Sequence, residues 1–143
     1  MAINKVLAAV DDTDGGRKAL ELAAEVCEGN PNAHIDAVYV VPIPLLDDAQ
    51  MENFRAILDL MLEDGKKLLS DAIDGLGPEA GERVSALLIT GTNPANELIK
   101  LADKGSYDLV VIGSRGFSGV KEYLGSVSHK VLHGASAPVL IAK

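Results

Sequence analysis

The 143-residue sequence predicts a doubly wound α/β fold, five parallel strands in the order 3-2-1-4-5 with helices on both faces of the sheet. Three observations predict it. Short apolar runs of strand length alternate, five times over, with stretches whose apolar residues recur at helical spacing. Those runs are nearly continuous, as in strands buried on both faces. The sequence has no Trp, two Phe and three Tyr, so the core must be aliphatic, which suits a helix-covered parallel sheet better than an aromatic-rich sandwich.

Taken in order, residues 3–10 (INKVLAAV) read as the first strand. Residues 16–28 place Ala19, Leu20, Ala23, Val26 and Cys27 on one helical face, and Gly29-Asn30-Pro31 stops them. Asp14 is the expected cap of that helix. Residues 34–41 (HIDAVYVV) form the second strand, with Pro42-Ile43-Pro44 ending its pairing. Residues 47–73 carry the longest helical pattern, in which Gly65 costs about 1 kcal/mol relative to Ala and marks a bend or break. Residues 75–81 read as a turn-rich linker. The third strand spans 83–90, and Asn93-Pro94 then caps and opens a helix that turns Ala95, Leu98, Leu101 and Ala102 inward and ends near Gly105. Residues 108–112 (DLVVI) are the fourth strand, 126–132 a last helix stopped by Gly134, and 138–142 (PVLIA) the fifth strand. No repeat or long linker divides the chain, so residues 1–143 read as a single domain.

A chain this long buries about two thirds of its unfolded surface without disulfides or a structural metal. The lone Cys27 points to a reducing, cytoplasmic compartment and to a small buried hydrophobe. With 13 Lys+Arg against 21 Asp+Glu and a net charge of −8, the sequence argues against nucleic-acid or anionic-membrane partners, which demand clustered basic residues. No apolar run reaches the ~20 residues of a membrane span, and Asp11 and Asp12 cut short the N-terminal run, so no secretory signal is expected.

Ligands of doubly wound sheets bind at the carboxyl ends of strands where the winding reverses. After the fourth strand comes Gly113-Ser114-Arg115-Gly116-Phe117-Ser118-Gly119, and then Gly125-Ser126-Val127-Ser128 opens a helix. Gly113 and Gly116 allow close backbone approach and positive φ, and N–H groups with the Ser126 and Ser128 hydroxyls at a helix start suit phosphate. Neither GxxxxGK[ST] nor GxGxxG is present, which demotes the P-loop and dinucleotide readings. Composition alone leaves a plain flexible turn as an equal alternative. Arg115 and Lys121 either neutralise phosphate or are merely solvated. His129 and His133 lie four apart, but no further ligand at matching spacing completes a metal site.

At these residues the sequence resembles the universal stress protein family, in particular its ATP-binding branch with the G-x2-G-x9-G-[ST] motif. The resemblance runs through Lys5 to Asp11 with Thr13, the Gly91/Pro94 turn, YDLVVIGSRG at 107–116, GSVSHKVL at 125–132 and the closing APVLIAK. Eight residues separate Gly116 from Gly125 where the family pattern has nine, and Gly91-Thr92-Asn93-Pro94 is one longer than the usual G-x-P. The resemblance implies adenine and ribose contacts at Ala9, Val10, Asp11 and Val40. It implies further nucleotide contacts at Ile112 and Gly113, and triphosphate contacts at Gly116, Gly125, Ser126 and Val127, with ATP (or AMP or ADP) accompanied by Mg²⁺ or Mn²⁺. It also implies a homodimer paired through the final strand.

Asp11-Asp12 would equally suit a phospho-receiver, but that class requires an Asp after the third strand, where Thr90 and Gly91 stand, and a Lys after the fifth with helix to follow. No residue is a convincing base for ATP hydrolysis, so no catalytic residue is assigned and at most slow hydrolysis or self-phosphorylation is expected. The function expected is a nucleotide-gated regulatory and stress-response module, with an unidentified protein partner, whose loop over 114–125 is ordered by ATP. The alternative is an ATP-independent stress or chaperone-like dimer with a vestigial glycine loop.

Overall fold

A computed structural model describes residues 2–114 and 125–143. Its elements are β1 (Lys5–Ala9), α1 (Asp14–Val26), β2 (His34–Pro42), α2 (Asp48–Asp74), α3 (Pro78–Gly81), β3 (Val84–Gly91), α4 (Pro94–Lys104), β4 (Leu109–Gly113), α5 (Ser126–Gly134) and β5 (Val139–Ala142). The strands form one parallel sheet in the predicted order, β3-β2-β1-β4-β5. β1 lies at its centre, with Val6 beside Ile35 of β2 and Leu109 of β4.

The apolar runs are explained by the two layers that the strands serve at once. Alternate residues point to opposite faces. Val6 and Ala8 meet Ala19, Leu20, Ala23 and Leu69 on the α1/α2 face. Leu7 and Val110 meet Ala95, Leu98, Ala102 and Val131 on the α4/α5 face. Every residue of β4 is buried.

Four local expectations are corrected. Thr13, not Asp14, caps α1: its side chain accepts from Gly16 N–H at 3.4 Å, which makes Asp14 the first helical residue, well placed for the positive helix end. Val26 is exposed, since Leu20, Ala23 and Cys27 already complete the inner stripe of α1. Gly65 does not break α2. A Cβ there would lie 2.8 Å from Leu88 Cδ1 and 3.1 Å from Tyr39 Cδ2, so the glycine lets the helix approach the sheet closely. Finally, the 75–81 linker contains the short α3, opened by Pro78 after Gly77 at φ +89°.

Below the sheet, Tyr107 Oη donates to Asp36 Oδ2 at 2.6 Å, and Lys5 Nζ sits 4.6 Å from the Tyr107 ring centre while donating to Gly105 O. Asp108 Oδ2 accepts from the N–H groups of Asn4 and Lys5, both at 3.0 Å. These contacts tie β1, β2 and β4 together at the end remote from the predicted site. Cys27 is a free, buried thiol, pushed up by burial with partial opposition from Arg83.

Candidate functional site

The site is built where β1 and β4, neighbours in the sheet, send their chains to opposite faces. Val10 continues β1 beside β2 by donating to Val38 O at 2.8 Å. Asp11 then turns the chain: its Oδ1 accepts from Thr13 N–H at 2.9 Å and from the Thr13 hydroxyl. The same Thr13 caps α1, so the Asp11 carboxylate fixes the start of that helix. Gly16 is required beneath it, because a Cβ there would lie 2.4 Å from Asp11 N and 2.5 Å from Asp11 Oδ1.

On the β4 side, a Cβ at Gly113 would stand 2.7 Å from both the carbonyl carbon and the oxygen of Gly15. The glycine expected to serve a ligand is thus demanded first by the close seating of α1 on the end of β4. Positive φ, the other expected reason, is found among the described glycines only at Gly29 and Gly77.

Ser114 N–H donates to Ala142 O and Gly125 N–H to Ser114 O, both at 2.8 Å, so the residues flanking positions 115–124 are tied to each other at the top of the sheet. α5 begins directly after Gly125, which caps it with extended backbone (φ −63°, ψ 158°) and no side-chain hydrogen bond. The first backbone N–H groups of α5 therefore lack a side-chain cap and carry the positive end of the helix dipole. Ser128, expected to offer its hydroxyl to phosphate, is instead buried and donates to Gly113 O at 2.5 Å, bolting α5 to the end of β4. Ser126 is exposed.

These elements enclose a cavity of about 520 Å³. Ala9, Val10 and Asp11 line it from β1, Val40 from β2, Ile112 and Gly113 from β4, and Gly125, Ser126 and Val127 from α5. Nine of the ten residues singled out from sequence thus face one space. The tenth, Gly116, lies outside the described residues, as do Arg115 and Lys121.

The cavity also has walls that the sequence reading did not select: Val38, Tyr39 and Pro42 of β2, Pro94 and Leu98 of α4, and Asp12. Sequence reasoning looked at strand ends and at the start of the last helix; the signal for Pro94 and Leu98 was the Asn93 cap, whose side chain accepts from Asn96 N–H at 3.2 Å and aims the amino end of α4 toward the site.

The walls are mostly apolar, and the charged residues among them are Asp11 and Asp12. Burial, then Asp12, Asp11 and Asp64, pushes the Tyr39 phenol above its ordinary value. Among the described lining residues no cation faces an anionic ligand, so attraction falls to backbone N–H groups and the α5 dipole. The described residues also contain no group of three His, Cys, Asp or Glu able to hold a metal. His129 and His133 stack edge to face, 4.5 Å between ring centres.

Comparison with known proteins gives a consistent result. The description "Universal stress protein family" matches residues 2–143. Universal stress protein YxiE of Bacillus subtilis is 32% identical over 149 aligned residues, covering 98% of this chain and 99% of its own. Among solved structures, universal stress protein UspA from Lactobacillus plantarum superimposes with a TM-score of 0.86 at 18% identity, over 100% of this chain and 99% of that one. A universal stress protein family protein from Arabidopsis thaliana, solved with AMP bound, has a TM-score of 0.71 at 23% identity, covering 98% and 91%. Other solved members with this fold are complexes with dAMP and cAMP.

Proposed function

The chain belongs to the universal stress protein family, and on that premise we propose that it binds an adenine nucleotide, ATP or its AMP and ADP counterparts, as the gate of a regulatory stress-response function. The observation that carries the proposal is the cavity at the reversal of winding, where nine of the residues implied by the family resemblance line apolar walls and an uncapped helix start. Relatives of the same fold solved with AMP, dAMP and cAMP support the ligand class.

In this reading adenine and ribose lie against Ala9, Val10, Asp11 and Val40. The phosphates meet the N–H groups of Gly125, Ser126 and Val127, with Gly116 contributing from outside the described residues. Aliphatic walls suit a flat base, and a helix start suits an anion in a chain with no basic residue on the described walls. A Mg²⁺ or Mn²⁺ ion would be held mainly by the nucleotide's own phosphates, given only Asp11 and Asp12 nearby. Among the described wall residues the one carboxylate positioned by the fold, Asp11, is committed to Thr13, so hydrolysis is slow and serves as a timer. The domain pairs with a second copy through β5, is a single unit over its whole length and works in the cytoplasm.

The decisive experiment is calorimetric titration of the purified protein with ATP, with and without Mg²⁺, alongside Ser126→Asp. An acid at the first helical position complements the α5 dipole and stabilises the fold by about 0.5 kcal/mol. The same charge opposes phosphate and is expected to weaken ATP by about tenfold. Absence of retained nucleotide together with no binding at millimolar ATP overturns the reading and leaves the ATP-independent dimer.

A further inference from the structure

Large apolar side chains more than half exposed occur, among the described residues, in one stretch only: Leu45 (88%), Ile57 (53%) and Leu60 (67%). Their exposure follows from the length of α2. Gly65 packs against Tyr39, after which β2 has three residues left, about 10 Å of strand. In the other direction α2 runs back from Gly65 to Asp48, 17 residues or about 25 Å of helix. The first turns of α2 therefore stand beyond the sheet, at the end where the cavity opens, and no residue of α2 before Gly65 is buried. Ile57 and Leu60, three apart, share a side of the projecting segment, and Asp64 continues the row.

The charge on this segment is one-sided. Positions 47–64 hold six acidic residues, Asp47, Asp48, Glu52, Asp59, Glu63 and Asp64, against the single cation Arg55. We propose that the projecting half of α2, with Leu45, is a docking surface for a basic amphipathic segment of another protein, whose apolar side covers Ile57 and Leu60 and whose Lys or Arg residues meet Asp59 and Glu63. Charge complementarity selects this occupant. A second copy would bring a net charge of −5 against −5, and anionic lipid or nucleic acid would be repelled in the same way. The surface adjoins the cavity through Tyr39, yet it exists without any ligand, so this inference stands or falls separately from nucleotide binding.

The test uses the intact protein and a fluorescent Leu/Lys amphipathic helical peptide, with a Leu/Glu peptide of the same pattern as control, read by anisotropy. The Lys peptide is expected to bind and the Glu peptide not, with affinity falling from about 50 to about 300 mM salt. The double variants Ile57→Ser with Leu60→Ser, and Asp59→Lys with Glu63→Lys, alter exposed residues and are expected to fold. Each is expected to weaken the Lys peptide at least about fivefold. The equivalent reversal on α1, Glu21→Lys with Glu25→Lys, is expected to leave it unchanged. Failure of the Lys peptide to bind, equal losses for the α1 and α2 reversals, or no loss in the serine variant each overturns the proposal. Sedimentation in which the serine pair alone abolishes self-association also overturns it, because the face would then belong to a second copy.

Discussion

Asp11, Gly16, Gly113 and Ser128 show how closely the cavity is tied to the packing around it. The Asp11 carboxylate starts α1 through Thr13, and Gly16 is the residue that fits beneath it. Gly113 both lines the cavity and lets α1 sit on the end of β4. Replacing it by Ala puts a methyl 2.7 Å from two backbone atoms of Gly15, which cannot rotate away. We expect Gly113→Ala to cost about 2 kcal/mol in urea denaturation before any ligand is added. An unchanged midpoint would mean that α1 is free to lift. Position along the chain made Asp11, Gly113 and Ser126 legible as cavity residues, because strand ends are predictable. Their reasons were less legible. That Gly113 answers to Gly15, and that Ser128 donates to Gly113 O, are contacts across 98 and 15 positions that no local pattern encodes.

Strands and helices were legible wherever the apolar period was long. The capped start of α4 at Asn93-Pro94 lies where propensity puts it. Propensity misjudged Gly65, since its cost in an isolated helix is offset by the close approach of α2 to Tyr39 and Leu88. It also passed over α3, four residues too short to show a period. β5 offers the element-level prediction. The carbonyls of Pro138 and Ala142 accept from β4, so the even positions face β4 and the N–H groups of Val139 and Ile141 face the open edge. If β5 is the dimer contact, Ile141→Pro removes an outward donor without breaking the β4 ladder. The expected outcome in sedimentation is conversion of dimer to monomer, with far-ultraviolet dichroism preserved. A dimer that survives the substitution would place the interface elsewhere.

For the molecule as a whole, layer assignment followed from sequence because five apolar runs separated by helices leave few right-handed arrangements, of which the sheet adopts β3-β2-β1-β4-β5. The lower end of the sheet was not foreseen, since Lys5, Asp36 and Tyr107 are brought together only by folding. That cluster gives the fold a pH dependence. Burial first, then the hydrogen bond to Asp36 and its charge, raises the Tyr107 phenol above its ordinary value. A group raised in the folded state stabilises fully below its unfolded pKa, near 10, and that contribution is lost as pH climbs toward the folded value. Urea midpoints are therefore expected to begin falling near pH 10 and to go on falling above it. In Tyr107→Phe the neutral midpoint should drop, by about 1 kcal/mol for the lost hydrogen bond, and the alkaline slope should flatten. An identical slope in both proteins would remove Tyr107 as its source.

The central position of β1 has a consequence for how the protein is made. Its partners are His34 to Val38 on one side and Leu109 to Val111 on the other, so one edge of the first strand waits until more than a hundred residues have followed it. A nascent chain that has emerged only through α4 holds three of the five strands, with the backbone groups of Lys5, Leu7 and Ala9 along an unsatisfied edge and no far wall to the cavity. A nucleotide bound as proposed would meet only the finished cavity and could not template early folding, and any chaperone that attends synthesis has its longest task on the first strand.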